Sequence, residues 1–280
     1  MKYKNYKYYK RYANVRHKVP YIYEINNGEY SLYYYGTNHT NNAEDSVFND
    51  IPNILTEFKP RAVIVEGVPQ LNVTNENKFL QTLADVDIKN IHLFGENLYA
   101  AYMGYKKEIE VFCPEPPLAD EVKIILTNGF SLDEIFVYYM CRFIYQWKTR
   151  GQRDESLFND YLENGINYFN SNTEMNGILY SNSIFFDLFY KIFGMINFEK
   201  LDESFYCKLL DPVPRKNNKN YKKYGFNKIS RIQNDFRDQC IISETKKILE
   251  KYKKVLIVFG ATHAYMQRKE IELLMNRGLS

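Results

Sequence analysis

Hydrophobic and polar positions fall into blocks that alternate along the chain. Residues 20–35, PYIYEINNGEYSLYYY, hold two runs of aromatic and β-branched residues, about 20–25 and 30–35, around Asn26-Asn27-Gly28. Such a turn tolerates positive φ, so the segment predicts a β-hairpin. A helical pattern follows over about 43–58 and stops at Lys59-Pro60. RAVIVEG, 61–67, is a continuous apolar run ended by glycine, the pattern of a strand buried on both faces. Helical spacing returns at 75–86 and 95–106, and IEVFCPEPP, 109–117, predicts another buried strand halted by prolines. From about 118 to 225 the pattern is helical near 119–127, 132–149, 155–169 and 184–200, with no strand. A long helix over about 226–252, the strand KVLIVFG at 254–260 and a closing helix complete the chain.

This order predicts an α/β fold: a mostly parallel central sheet flanked by helices, an N-terminal β-hairpin and an inserted α-helical block. The expected division is a basic, Tyr-rich tail at 1–18, a first core part at 19–117, a helical insertion at 118–225 and a second core part at 226–280. Phe and Tyr dominate the apolar faces of the insertion, as in DEIFVYYMCRFIYQW and SIFFDLFYKIFGMI. Core packing accounts for such stripes, and a groove covering a ligand is the alternative.

Composition supports a packed core. Of 280 residues, 45% are hydrophobic and 16% aromatic, with 26 Tyr and 19 Phe against a single Trp. The abundance of Tyr, Phe, Asn, Lys and Ile matches AT-rich codons and points to an AT-rich bacterial, mobile-element or phage source. No apolar run approaches the roughly 18–20 residues of a membrane-spanning helix. Residues 1–18 contain no apolar stretch suited to a secretory segment, so the expected location is cytoplasmic, away from membranes. The four cysteines, 113, 141, 207 and 240, are far apart and form no CxxC, which predicts reduced thiols.

The net charge of +3 is uneven. Residues 1–18 carry seven of the 37 basic residues and no acid, leaving 30 basic against 34 acidic residues in the rest. A second basic run spans 215–228, RKNNKNYKKYGFNK. Basic residues interleaved with Tyr suit phosphate contacts and base stacking. Neither run sits in a recognisable nucleic-acid module, so solvated segments are the better expectation and nucleic acid the weaker one.

The candidate chemistry lies at strand ends. Of four histidines, two share a setting: Gly36 precedes His39 by three in YYYGTNH, and Gly260 precedes His263 by three in IVFGATH. His17 and His92 lack it and are expected at the surface. Glu66 follows strand AVIV directly, and Glu115 follows EVFC by one proline. In open α/β sheets ligands bind outside the carboxyl ends of the strands, so His39, Glu66, Glu115 and His263 are expected to share one cleft. A carboxylate beside an imidazole makes a general base, while two His and a Glu suit a divalent metal such as Zn, Mn or Co. The alternative for each residue alone is helix capping. On the long helix, NDFRDQ places Arg237 next to Asp238. A surface ion pair is the simpler reading, and an arginine stabilising an oxyanion at the cleft is the functional one. No GxSxG, HExxH, P-loop or GxGxxG occurs.

The order GTNH, RAVIVEG, GENLYAA, a strand leading to Glu115, RD on a helix, then VFGATH resembles the TraB/Tiki superfamily, grouped with erythromycin esterases and ChaN-like and GumN-like proteins. Gly36/His39 and Gly260/His263 match its two GxxH motifs, Glu66 its strand-ending acid, Glu96 the Glu before a small-residue helix, and Arg237 with Asp238 its Arg-Asp pair. The match covers about 30–116 and 226–275, not the tail or the helical block. The resemblance implies an α/β fold in which the two GxxH ends meet, and a hydrolase activity. Its members split between metal-dependent proteases, metal-free esterases using a His base, and haem binders.

Two functions follow as expectations. The first is a hydrolase of an ester, lactone or peptide bond. In it His39 is base or ligand, Glu66 orients it or shares a metal, His263 is its partner and Arg237 stabilises charge. If a metal is present, His39, Glu66 and His263 are its expected ligands. An arginine in the cleft favours metal-free hydrolysis, because guanidinium and dication repel. The second is a non-catalytic protein that binds a small molecule, nucleic acid or partner through the same cleft or the basic tail.

Overall fold

In a computed structural model of the chain, the described residues are 15–67, 88–149, 154–173, 177–213, 216, 218, 219 and 223–276. The expected helix at 75–86 and most of the basic tail lie outside them, as does part of the basic run 215–228. The chain divides into two compact units: Arg16–Glu115 with Asp238–Ser280, and Pro116–Arg237 with Met1–Val15.

The first unit is an α/β layer structure. Its five strands are β1 (Tyr21–Asn26), β2 (Ser31–Thr37), β3 (Ala62–Val65), β4 (Glu110–Phe112) and β5 (Lys254–Gly260), in the order β1-β2-β5-β3-β4. β1 and β2 pair antiparallel as the hairpin, and all other neighbours are parallel. Gly28 has φ 91°, and its amide donates to the Asn26 side chain at 2.8 Å, which closes the turn. β4 is shorter than the apolar run at 109–117. Its pairing with β3 ends at Phe112, and the prolines that follow leave the ladder.

Side chains alternate across the sheet with a period of two, so each central strand feeds two cores. Tyr35, Val63, Val65, Leu256 and Val258 face one side, with α1 (Val47–Glu57) and α2 (Glu96–Lys106) packed on them. Leu32, Tyr34, Ile64, Val255, Ile257 and Phe259 face the other. There they meet Ile241, Ile248 and Leu249 of a 27-residue helix, Phe226–Tyr252, and Ala264, Ile271 and Met275 of the last helix, Ala261–Asn276.

The second unit is helical: α3 (Leu118–Thr127), α4 (Leu132–Thr149), α5 (Phe158–Asn172), α6 (Asn182–Phe193) and α7 (Glu203–Leu210), followed by the start of α8 (Phe226–Tyr252). The last helix of the chain is α9 (Ala261–Asn276). α4 opens with a capping box. Ser131 Oγ accepts the Glu134 amide at 3.2 Å and Glu134 Oε2 accepts the Ser131 amide at 2.8 Å. The Phe and Tyr stripes form this unit's core, with Phe136 stacked on Tyr180 at 3.9 Å and Phe185, Phe189 and Tyr206 fully buried. α6 ends at Phe193 rather than near 200, because Gly194 takes φ 80° and breaks the helix. α7 was not expected; Asp202 caps it by accepting the Phe205 amide at 2.9 Å.

No disulfide joins any of the four cysteines, all of which lie among the described residues. Among the described residues no helix is long and apolar enough to cross a membrane. His17 and His92 keep part of their surface exposed. Both are half-buried, His17 stacked on Tyr265 at 5.6 Å and His92 edge-on to Phe48 at 5.9 Å.

Candidate active site

Three adjacent parallel strands, β2, β5 and β3, end side by side, and Thr37 pairs with Gly260 at that edge. His39 follows β2, Glu66 follows β3, and His263 lies in the first turn of α9 directly after β5. The order of the strands, more than distance along the chain, brings these side chains together.

Glu66 stands between the two imidazoles. Its Oε2 is 3.7 Å from His39 Nε2 and its Oε1 is 3.5 Å from His263 Nε2. The Gly260 amide donates to Glu66 Oε2 at 2.7 Å and fixes the carboxylate. Each ring is held from behind by another acid. His39 Nδ1 lies 2.8 Å from Glu96 Oε1, and His263 Nδ1 lies 2.8 Å from Asp238 Oδ1. The groups thus alternate Glu96, His39, Glu66, His263, Asp238. The carboxylate at hydrogen-bond distance from His39 is Glu96, whereas the sequence suggested Glu66.

Glu96 begins α2, where the helix N-terminus favours negative charge. Its Oε1 accepts the Thr37 hydroxyl at 2.8 Å and its Oε2 the Thr40 amide at 3.0 Å. Burial alone raises its carboxyl. The hydrogen bond and charge of His39, with the Thr37 hydroxyl and its own backbone amide, outweigh burial and hold it below the usual carboxylate range. His39 has φ 28°, a backbone region that non-glycine residues seldom occupy. Its side chain remains 57% exposed, while those of Glu66 and His263 are each 11% exposed. A cleft of about 320 Å³ opens at this loop, lined by Thr37, Asn38, Thr40, Asp45 and Ser46 among others.

Asp238 is fully buried and also accepts from Gln267 Nε2 at 2.7 Å, and Tyr34 donates to Gln267 Oε1 at 2.8 Å. The sequence reading missed Thr37, Gln267 and Tyr34. Gln267 carries a findable signal: it is four residues after His263, on the same helix face. The glycines have steric causes. A Cβ on Gly260 would lie 2.6 Å from His39 Nε2, and one on Gly36 would lie 2.8 Å from both Ala264 Cβ and Tyr21 O.

Glu115 accepts the Gly67 amide at 3.3 Å, one residue beyond Glu66. Arg237 belongs to the helical unit. It is buried there, with Nε 3.9 Å from Glu121 Oε1. Glu121 also accepts the Tyr139 hydroxyl at 2.6 Å and the Gln233 amide at 2.5 Å, and Arg142 donates to Gln233. Burial raises the Glu121 carboxyl, and the lowering by Arg237, Arg142 and these hydrogen bonds does not cancel it. In the basic run, Lys223 and Lys228 lie over the rings of Tyr224 and Phe130.

His39, Glu66 and His263 are the residue types that hold Zn, Mn or Co. Among the described residues, however, no group of three or more His, Cys, Asp or Glu side chains is arranged to hold a metal ion.

Comparison with family models, with curated proteins and with solved structures finds no match to this chain.

Proposed function

We propose that this chain is a hydrolase of the TraB/Tiki type, cleaving an ester, lactone or peptide bond with His39 as general base. The observation that carries this reading is the pair of carboxylate-held imidazoles on either side of Glu66. With Nδ1–H donated to Glu96, the lone pair of His39 sits on Nε2, the nitrogen on the Glu66 side of an exposed ring. That nitrogen takes a proton from water as the oxygen adds to the substrate carbonyl. The resulting imidazolium is stabilised by Glu96 and Glu66. It then returns the proton to the leaving alkoxide or amine as the tetrahedral intermediate collapses. His263, held by Asp238, faces the other oxygen of Glu66 and shares its charge when protonated.

A second reading, a divalent metal on His39, Glu66 and His263, draws on the residue types and on the carboxylate behind each ring, because metal-bound imidazoles commonly donate their other nitrogen to a carboxylate.

The test is turnover of a panel of aryl esters, lactones and peptides by the purified protein, before and after dialysis against chelator, beside His39→Ala. Turnover that survives chelation and is lost in His39→Ala supports the proposal. Activity removed by chelator and restored by Mn, Zn or Co would replace the base with a metal. Tight ligand binding without turnover would make the chain a binding protein.

A further inference from the structure

Behind His263 lies a chain of buried polar groups that no catalytic step uses. Tyr34 on β2, Gln267 on α9 and Asp238 on α8 are each 0% exposed. Tyr34 Oη donates to Gln267 Oε1 at 2.8 Å, Gln267 Nε2 donates to Asp238 Oδ1 at 2.7 Å, and the same Oδ1 lies 2.8 Å from His263 Nδ1. Burying a phenol, a primary amide and a carboxylate together is costly unless their bonds are completed, so each of these bonds constrains the next.

The direction of each bond follows from the chemistry of the ends. A carboxylate only accepts, so Gln267 must turn its NH2 toward Asp238. Its carbonyl then faces Tyr34, which supplies a hydroxyl proton. With Oδ1 accepting from both Gln267 and His263, the imidazole proton belongs on Nδ1, and the lone pair of a neutral ring belongs on Nε2, toward Glu66.

We propose that Gln267 and Tyr34 are positioning residues that set the tautomer and ring orientation of His263 through Asp238. This rests on the reading of the cleft as a hydrolytic site for its effect on rate, but not for its effect on the imidazole itself. Without the Gln267 amide, Asp238 loses one of the partners that orient it toward the ring, and Glu66, 3.5 Å from His263 Nε2, competes with it for the imidazole proton. Without the Tyr34 hydroxyl, the amide keeps its direction but loses its anchor, so the effect is smaller.

The experiment is two-bond 1H–15N correlation of 15N-histidine-labelled protein above the imidazole titration, comparing wild type, Gln267→Met and Tyr34→Phe. Both substitutions conserve shape. Wild type is expected to show His263 as a single Nδ1–H tautomer. Gln267→Met is expected to show a mixture of tautomers, and Tyr34→Phe a smaller admixture. On any substrate that is turned over, kcat in Gln267→Met should fall about tenfold with KM unchanged, the scale of loss when a carboxylate behind a histidine ligand is removed. A His263 that stays wholly Nδ1–H in both variants overturns the proposal. Tyr34→Phe removes one oxygen and decides the matter alone if Gln267→Met does not fold. Should no substrate be hydrolysed, the tautomer shift still stands or falls independently, so failure of the hydrolase reading is distinguishable from failure of this one.

Discussion

A methyl group at Gly260 would stand 2.6 Å from His39 Nε2 and 3.4 Å from Glu66 Oε2. The glycine at the end of β5 therefore leaves room for a histidine that arrives from β2. Gly260→Ala should displace the His39 ring while the strand persists, at a cost of about 1–3 kcal/mol from overpacking. The expected outcome is a folded protein with lost turnover, measured by urea unfolding alongside hydrolysis. At Gly36 the obstruction is backbone and the Ala264 methyl, so Gly36→Ala should cost more stability than Gly260→Ala.

Glu96 links the site to acid stability. Its carboxyl is held below the ordinary value by His39, Thr37 and its helix-start amide, against the raising effect of burial. A carboxyl lowered in the folded state stabilises that state above its unfolded value, and the stabilisation is lost as pH falls through the folded value. Glu96→Gln should lower stability at pH 7 by about 1.5–3 kcal/mol, the range for hydrogen bonds to charged groups. The gap between variant and wild type should close as pH falls below the usual carboxylate range. Far-UV circular dichroism of urea unfolding at several pH values checks this.

The helical unit carries the opposite sign. Burial leaves the Glu121 carboxyl raised. A raised carboxyl binds its proton more tightly when folded, so stability falls as pH rises from the ordinary carboxylate value toward the raised one. Glu121→Leu should remove that pH dependence and cost about 3–5 kcal/mol, because it takes the acid out of a buried network containing Arg142 and Arg237. Trp147, the single tryptophan, is buried in this unit, so its fluorescence reports the transition directly.

The sheet was legible because its strands are apolar runs closed by strong punctuation. KVLIVFG and the helix over 226–252 have the predicted ends, and the hairpin follows from Asn26-Asn27-Gly28. The prolines after Cys113 mark the end of a longer strand than exists, since apolar character persists past the last ladder bond of β4. α7 escaped notice because eight residues give too few turns for a periodic signal; its cap, Asp202, was the better cue. At the site, two equally spaced Gly–His pairs and a strand-ending Glu identified His39, His263 and Glu66. Which acid holds which ring was not legible. Glu96 lies 57 residues from His39, and nothing local links them. Thr37 and Gln267 bond to those acids and Tyr34 to Gln267, so their places emerge once the sheet is assembled.

The proposed role of His39, held by Glu96, as the base is read from the pH dependence of kcat/KM for the best substrate. Wild type and His39→Ala are measured in the presence of chelator. The wild-type rate should rise with pH through a single imidazole titration and then level. In His39→Ala that titration should be absent and the rate about 10²–10⁴-fold lower. A His39→Ala protein that keeps both the wild-type rate and the same titration would contradict it.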